Sequence, residues 1–162
     1  MSRFNVNVVV KDVSLIYLYK SYRALAMPTV TEEDIATLVD EFYGKIRYEP
    51  VLGPIFNGAI GEDWGPHLAK MKAFWSSVFL GSGTYKGSPM MAHLQLPPRL
   101  TVAHFQRWLD LWRETAAEHC SQEVAYQFVE RAEMIGQRLL QAITLYHPAS
   151  IAERSEGMKE TA

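Results

Sequence analysis

The segment HLAKMKAFWSSVF, residues 67–79, decides the fold. Leu68, Met71, Trp75 and Val78 recur at the steps that bring side chains onto one helical face. His67 opens the segment, and a four-residue step from it falls on Met71, so an imidazole borders the apolar stripe. A second imidazole, His93, lies beyond a glycine-rich break and again has apolar neighbours. Two histidines in such surroundings raise the question of a shared site.

Working outward, Pro66 suits the first turn of that helix, where its missing N–H costs nothing. Gly81, Gly83 and Gly87 break the pattern after Leu80. Ser88-Pro89 then opens a short helix, PMMAHL, which Pro97-Pro98 stops. Upstream, Thr31 and Asp34 form a capping box ahead of Ile35, Leu38, Val39, Phe42, Tyr43 and Ile46, which follow the helical period until Pro50. Gly53-Pro54 reads as a turn, with Ile55-Phe56 as a short apolar knot inside it. Downstream, Thr101 caps a helix whose third position carries His104 rather than an acid. Val102, Phe105, Trp108, Leu109 and Trp112 line its buried side. Ser121 caps the last helix, where Val124, Phe128, Ala132, Ile135, Leu139 and Ile143 share a stripe that His147-Pro148 closes.

The expectation is an all-α domain of four long helices and one short one over residues 31–147, joined by Gly/Pro loops. Residues 1–30 read as an N-terminal extension. Its VNVVV (6–10) and SLIYLY (14–19) look strand-like, and Met27 offers an alternative start. Residues 148–162 form a polar tail.

The 162 residues are 48% apolar and 21% charged, a balance that suits a packed globular domain. A formal charge of −2 with no basic stripe argues against nucleic acid as a partner. Cys120 is the only cysteine, which precludes an intrachain disulfide and fits a reducing compartment. No apolar run reaches membrane-spanning length, and Lys11 and Asp12 interrupt the N-terminal apolar stretch. The expected location is the cytoplasm, with no membrane partner.

The five histidines form no H-E-x-x-H, and no C-x-x-C occurs, so a zinc site has little support. G-x-S-x-G and P-loop signatures are missing, and GSGTYKG (81–87) follows a helix without the Lys-Ser/Thr ending of a phosphate cradle. The βαβ alternation of a Rossmann enzyme is missing too.

A haem pocket accounts for more of the residues. Haem iron needs an axial ligand such as imidazole, and the flat ring needs apolar walls. His93, bracketed by prolines, is the better proximal ligand, and His67 suits the other side of the ring. Tyr43 and Trp108 carry donor groups on apolar bodies, suited to a ligand that gains negative charge at its outer atom. Phe56, Met71, Phe74, Trp75, Met90 and Phe128 are candidate walls, and Lys70 and Tyr85 candidate partners for a propionate. Without C-x-x-C-H, the haem would be held non-covalently. The same stripes also describe a cofactor-free helical interaction module, whose aromatics would be plain core.

FYGKI, LGPIFNGAI, WGPHLAKMKAFWSS, GTYKGSPMMAHLQLPP and HFQRWLDL, in this order, resemble the group III truncated haemoglobins of bacteria over residues 31–147. The resemblance implies a two-over-two helical sandwich around haem b. It implies His93 as proximal iron ligand, Tyr43, His67 and Trp108 as distal residues, and Phe56 wedged against the ring. The glycine pairs of groups I and II are missing, as in group III. The chain departs from the family pattern only in its longer N-terminal stretch. The implied function is reversible O2 binding, with CO or NO as further ligands. Detoxification of NO or peroxide with an external reductase is implied as well.

Overall fold

Thr31 starts the first helix with a reciprocal cap. Its backbone N–H donates to the Asp34 carboxylate at 2.8 Å, and the Asp34 N–H donates to Thr31 Oγ1 at 3.1 Å. The structure, a computed structural model, describes residues 29–96 and 100–146. Its helices are α1 (Glu32–Ile46), α2 (Gly53–Ile60), α3 (Gly65–Leu80), α4 (Pro89–Leu94), α5 (Val102–His119) and α6 (Gln122–Tyr146). Among the described residues there is no strand. The strand-like stretches 6–10 and 14–19, Pro97-Pro98 and His147-Pro148 lie outside them.

Local chemistry explains most of the helix ends. Pro66 occupies the first turn of α3, and Gly81 ends it in the left-handed region at φ 65°. Ser88 Oγ accepts the Met91 N–H at the start of α4, and Ser121 Oγ accepts the Val124 N–H at the start of α6. At α5, Thr101 and His104 make the same reciprocal box as Thr31 and Asp34.

Two expectations need correction. The segment read as a turn around Gly53-Pro54 is helix α2. Eight residues are too few to show a period, and its cap comes from outside the helix. The Glu49 carboxylate accepts the N–H groups of Val51 at 2.7 Å and Leu52 at 2.6 Å, while Pro54 needs no partner in the first turn. Gly53 crosses the end of α1 so closely that a Cβ would lie 3.0 Å from the Arg47 carbonyl oxygen. The second correction concerns Val102, which is 41% exposed. It sits on the first turn of α5, and the buried side of that helix begins only at Phe105.

Helix α1 packs on α3 and α5, α5 packs along α6, and α4 also rests on α6. The result is a sandwich of two helix pairs, α1 with α3 and α5 with α6. Aromatic rings join the layers. Trp112 is fully buried and stacks between Trp75 at 4.9 Å and Trp108 at 5.3 Å. Its indole N–H donates to the Phe128 carbonyl oxygen at 3.3 Å, so burial strands no donor. Phe42 sets its edge against both Trp108 and Trp112.

Glu49 also accepts Arg107 Nε at 2.8 Å, which ties α2 to α5. Burial alone would raise the Glu49 pKa. The hydrogen bonds from Arg107, Leu52 and Val51, together with the Arg107 charge, outweigh it and hold the carboxyl below its ordinary 4.5. A lowered pKa in the folded state stabilises the fold above the unfolded value and loses that contribution as pH falls through the folded one. The wild type is therefore expected to lose stability as pH drops below about 4.5. Glu49→Gln should be less stable at pH 7 and should show a shallower acid-side decline. Denaturant titrations across pH test this, and parallel curves for the two proteins would refute it.

Candidate functional site

Between the helix pairs lies a cavity of about 360 Å³, within the usual size of a small-molecule or cofactor site. Its walls are largely apolar, and no Asp or Glu lines it. Helix α1 contributes Tyr43, α2 contributes Phe56, and α3 contributes His67, Lys70, Met71, Phe74 and Trp75. Tyr85 comes from the loop after α3, His93 from α4 and Trp108 from α5. Ten of the twelve residues singled out from sequence thus meet around one space.

Two do not. Met90 lies on the outer side of α4, 41% exposed, and does not line the cavity. Phe128 is fully buried in the aromatic core, edge-on to Phe79 at 4.7 Å and to Trp112 at 6.1 Å. The apolar stripe of α6 is wide, and its upper part faces α5 rather than the cavity. Ala132, Ile135, Gly136 and Leu139 of α6 form the wall instead. Leu52 and Ile55 also line the cavity, although the sequence assigns neither a site role. His104 lines the cavity as well, and its signal was an imidazole in a capping position that usually holds an acid.

The hydrogen bonds of His93 determine its chemistry. Nδ1 lies 2.6 Å from the Pro89 carbonyl oxygen. A carbonyl can only accept, so the proton resides on Nδ1 and Nε2 keeps its lone pair. Metal-ligating histidines are oriented by this kind of bond.

His67 contrasts with it. Its Nε2 is buried and has no hydrogen-bond partner among the described residues. The ring is held by edge-to-face contacts with Tyr43 at 5.1 Å and Trp64 at 6.0 Å. Trp64 stands behind the pair, and the Arg47 guanidinium covers it at 4.5 Å. Burial pushes the Tyr43 phenol above its ordinary pKa, so the hydroxyl keeps its proton at any physiological pH. Burial lowers the His67 pKa, and the charges of Lys70 and His93 lower it further. Tyr85 sets its edge against Phe74 at 5.2 Å, and its backbone N–H donates to Ser77 Oγ at 3.0 Å. Burial raises its phenol pKa too.

An apolar slot with an oriented imidazole lone pair and a second, unsatisfied buried imidazole suits a flat, iron-bearing macrocycle. A buried polar atom without a partner calls for a ligand. The donor set suits haem, whose iron takes an imidazole nitrogen as a ligand. Among the described residues, no cluster of His, Cys, Asp or Glu forms an ordinary metal site.

Fold and cavity together define a shortened helical globin. The profile of the bacterial-like globins matches residues 30–138, and the chain belongs to that family, on its group III truncated haemoglobin branch. A group 3 truncated haemoglobin of Campylobacter jejuni is 42% identical over 110 residues, covering 66% of this chain and 86% of that protein. The crystal structure of a group III truncated haemoglobin from C. jejuni superposes with a TM-score of 0.68 at 38% identity, covering 73% of this chain and 94% of the other. A thermostable haemoglobin from Thermobifida fusca gives a TM-score of 0.57 at 25% identity, over 67% of this chain and 89% of that one. Membership of a globin family brings with it haem-based binding of small gas ligands such as O2.

His67 should titrate below its ordinary 6.5, and Lys70→Gln should move the midpoint upward by removing a nearby positive charge. Burial remains, so the midpoint should stay below 6.5 in the variant. NMR titration of the imidazole resonances checks both, and a midpoint indifferent to Lys70 would contradict the assignment.

Proposed function

We propose that the chain holds haem b non-covalently, with His93 Nε2 as the axial ligand, and binds O2 reversibly. The bond from His93 Nδ1 to the Pro89 carbonyl carries this reading, because it leaves the other ring nitrogen free to ligate. The position of Cys120 supports non-covalent retention. The thiol ends α5 and packs against the core away from the cavity, and burial pushes its pKa up to about 11. No other cysteine exists to form a thioether.

When bound, the haem supplies a ferrous iron able to take a diatomic ligand. The rest of the task falls to the side chains. Tyr43 is the principal donor to the ligand's outer atom, since its buried phenol stays protonated. Trp108 and His67 tune that bond from α5 and α3. Neutral His67 can accept or pass a proton at Nε2, the atom without a protein partner. Phe56, Met71, Phe74 and Trp75 exclude water from the ring faces, and Lys70 and Tyr85 hold a propionate.

Such a pocket suits detoxification of NO or peroxide better than bulk oxygen transport. Polar distal donors help polarise an O–O bond, and a neutral imidazole can move the proton. An external reductase would return the iron to the ferrous state, and CO and NO would compete with O2. The reducing compartment that suits a lone thiol points to the cytoplasm. A cofactor-free interaction module leaves the cavity and the unpartnered His67 Nε2 without a purpose.

Expression with adequate haem should give a coloured protein, whereas a colourless, cooperatively folded product that rejects added haem would support the module. Tyr43→Phe should release O2 about tenfold faster or more, the effect of losing one hydrogen bond to a charged acceptor. An unchanged off-rate in stopped flow would remove Tyr43 as principal donor. Rapid mixing of the O2-equilibrated ferrous protein with NO should yield nitrate within the mixing time if NO is the physiological target.

A further inference from the structure

His104 occupies an unusual place. The third position of a capping box normally holds a Glu or Gln that accepts the cap N–H. Here the imidazole does this, with the Thr101 N–H donating to His104 Nδ1 at 3.1 Å. The His104 N–H returns a bond to Thr101 Oγ1 at 3.4 Å. A glutamate would serve this cap equally well, so capping alone does not account for the histidine.

What a histidine adds is its second nitrogen. A backbone N–H can only donate, so Nδ1 must be the bare acceptor and the proton of the neutral ring sits on Nε2. His104 is half-buried and lines the same cavity as His93. Among the described residues, no group accepts its Nε2 proton. Opposite backbone partners thus give the two histidines opposite tautomers. His93 keeps a bare Nε2, whereas His104 carries a hydrogen there. An N–H cannot ligate iron, which excludes His104 as a competing axial ligand while its cap is intact.

The surroundings indicate what such a donor would meet. The cavity is lined by Lys70 and by no carboxylate, so an anion entering it finds no like charge on the walls. Carboxylates in apolar surroundings need donors, because an unpaired buried charge is costly. Haem carries two carboxylates on one edge, and one ammonium with one phenol is a sparse set for both.

We propose that His104 is a carboxylate-binding residue of the cavity, its Nε2–H donating to a haem propionate while its Nδ1 caps α5. This rests on the haem reading above, and the test separates the two. His104→Glu keeps an acceptor for the Thr101 N–H but replaces the donor with a negative charge. His104→Gln keeps an acceptor and a donor. Wild type and both variants are loaded with haem or with haem dimethyl ester, whose propionates are blocked. Haem release into an excess of a scavenging apoprotein is then timed, with circular dichroism as the folding check.

With haem, H104E should release about tenfold faster than wild type or more, and H104Q should stay within about threefold. With the dimethyl ester, the extra loss in H104E should disappear. Wild-type retention in H104E, or an equally large loss with the ester, would overturn the proposal. Failure of the wild type to take up haem would overturn the haem reading and the proposal with it. If H104E does not fold, the imidazole 15N shifts of wild-type His104 decide. They should report a proton on Nε2 and should change with haem but not with the ester; a proton on Nδ1, or equal changes with both, would refute the assignment.

Discussion

One hydrogen bond, from the His93 imidazole to the Pro89 carbonyl oxygen within the short helix α4, sets the chemistry of the cavity. It places the proton on Nδ1 and fixes the ring. Without it, His93 would be one more half-buried histidine beside an apolar cavity. With it, a neutral ring keeps its lone pair on Nε2 beside the cavity. The helix carrying this bond is only six residues long and is held by the Ser88 cap and by contact with α6. Packing rather than intrinsic helix stability must therefore keep the His93 ring in place.

The remaining structure frames the cavity beside that imidazole. The stacked rings of Trp75, Trp112 and Trp108 join α3 to α5, and two of the three also line the cavity. The Glu49 carboxylate ties the start of α2 to Arg107 on α5, next in sequence to Trp108. Trp64 packs against the rings of Tyr43 and His67 and is covered by the Arg47 guanidinium. Polar groups in the cavity are few, and most have a defined role because backbone or ring neighbours fix them. His67 Nε2 is buried without a hydrogen-bond partner among the described residues, and that marks it for a ligand.

Much of this was legible in the sequence, for physical reasons. The long helices announce themselves because their apolar period runs for several turns, and Thr31, Thr101 and Ser121 cap as their side chains dictate. Helix α2 was not legible. It is too short to display a period, and Gly53-Pro54 suits a turn as well as a first helical turn capped at a distance by Glu49. Phe128 and Met90 were placed at the cavity because a stripe shows that a residue is apolar, not which neighbour it faces. In the structure Phe128 faces Trp112 and Phe79, and Met90 faces outward. The tautomers of His93 and His104 lie beyond any sequence reading, since each is set by a backbone atom whose position only the folded chain defines.

The most direct test is the resonance Raman spectrum of the ferrous, haem-loaded protein in the region of the iron–imidazole stretch. The expected band shifts when histidine is labelled with 15N, disappears in His93→Gly, and returns when free imidazole is added to that variant. A band that persists unchanged after residue 93 is replaced would place the iron on another side chain and contradict the account.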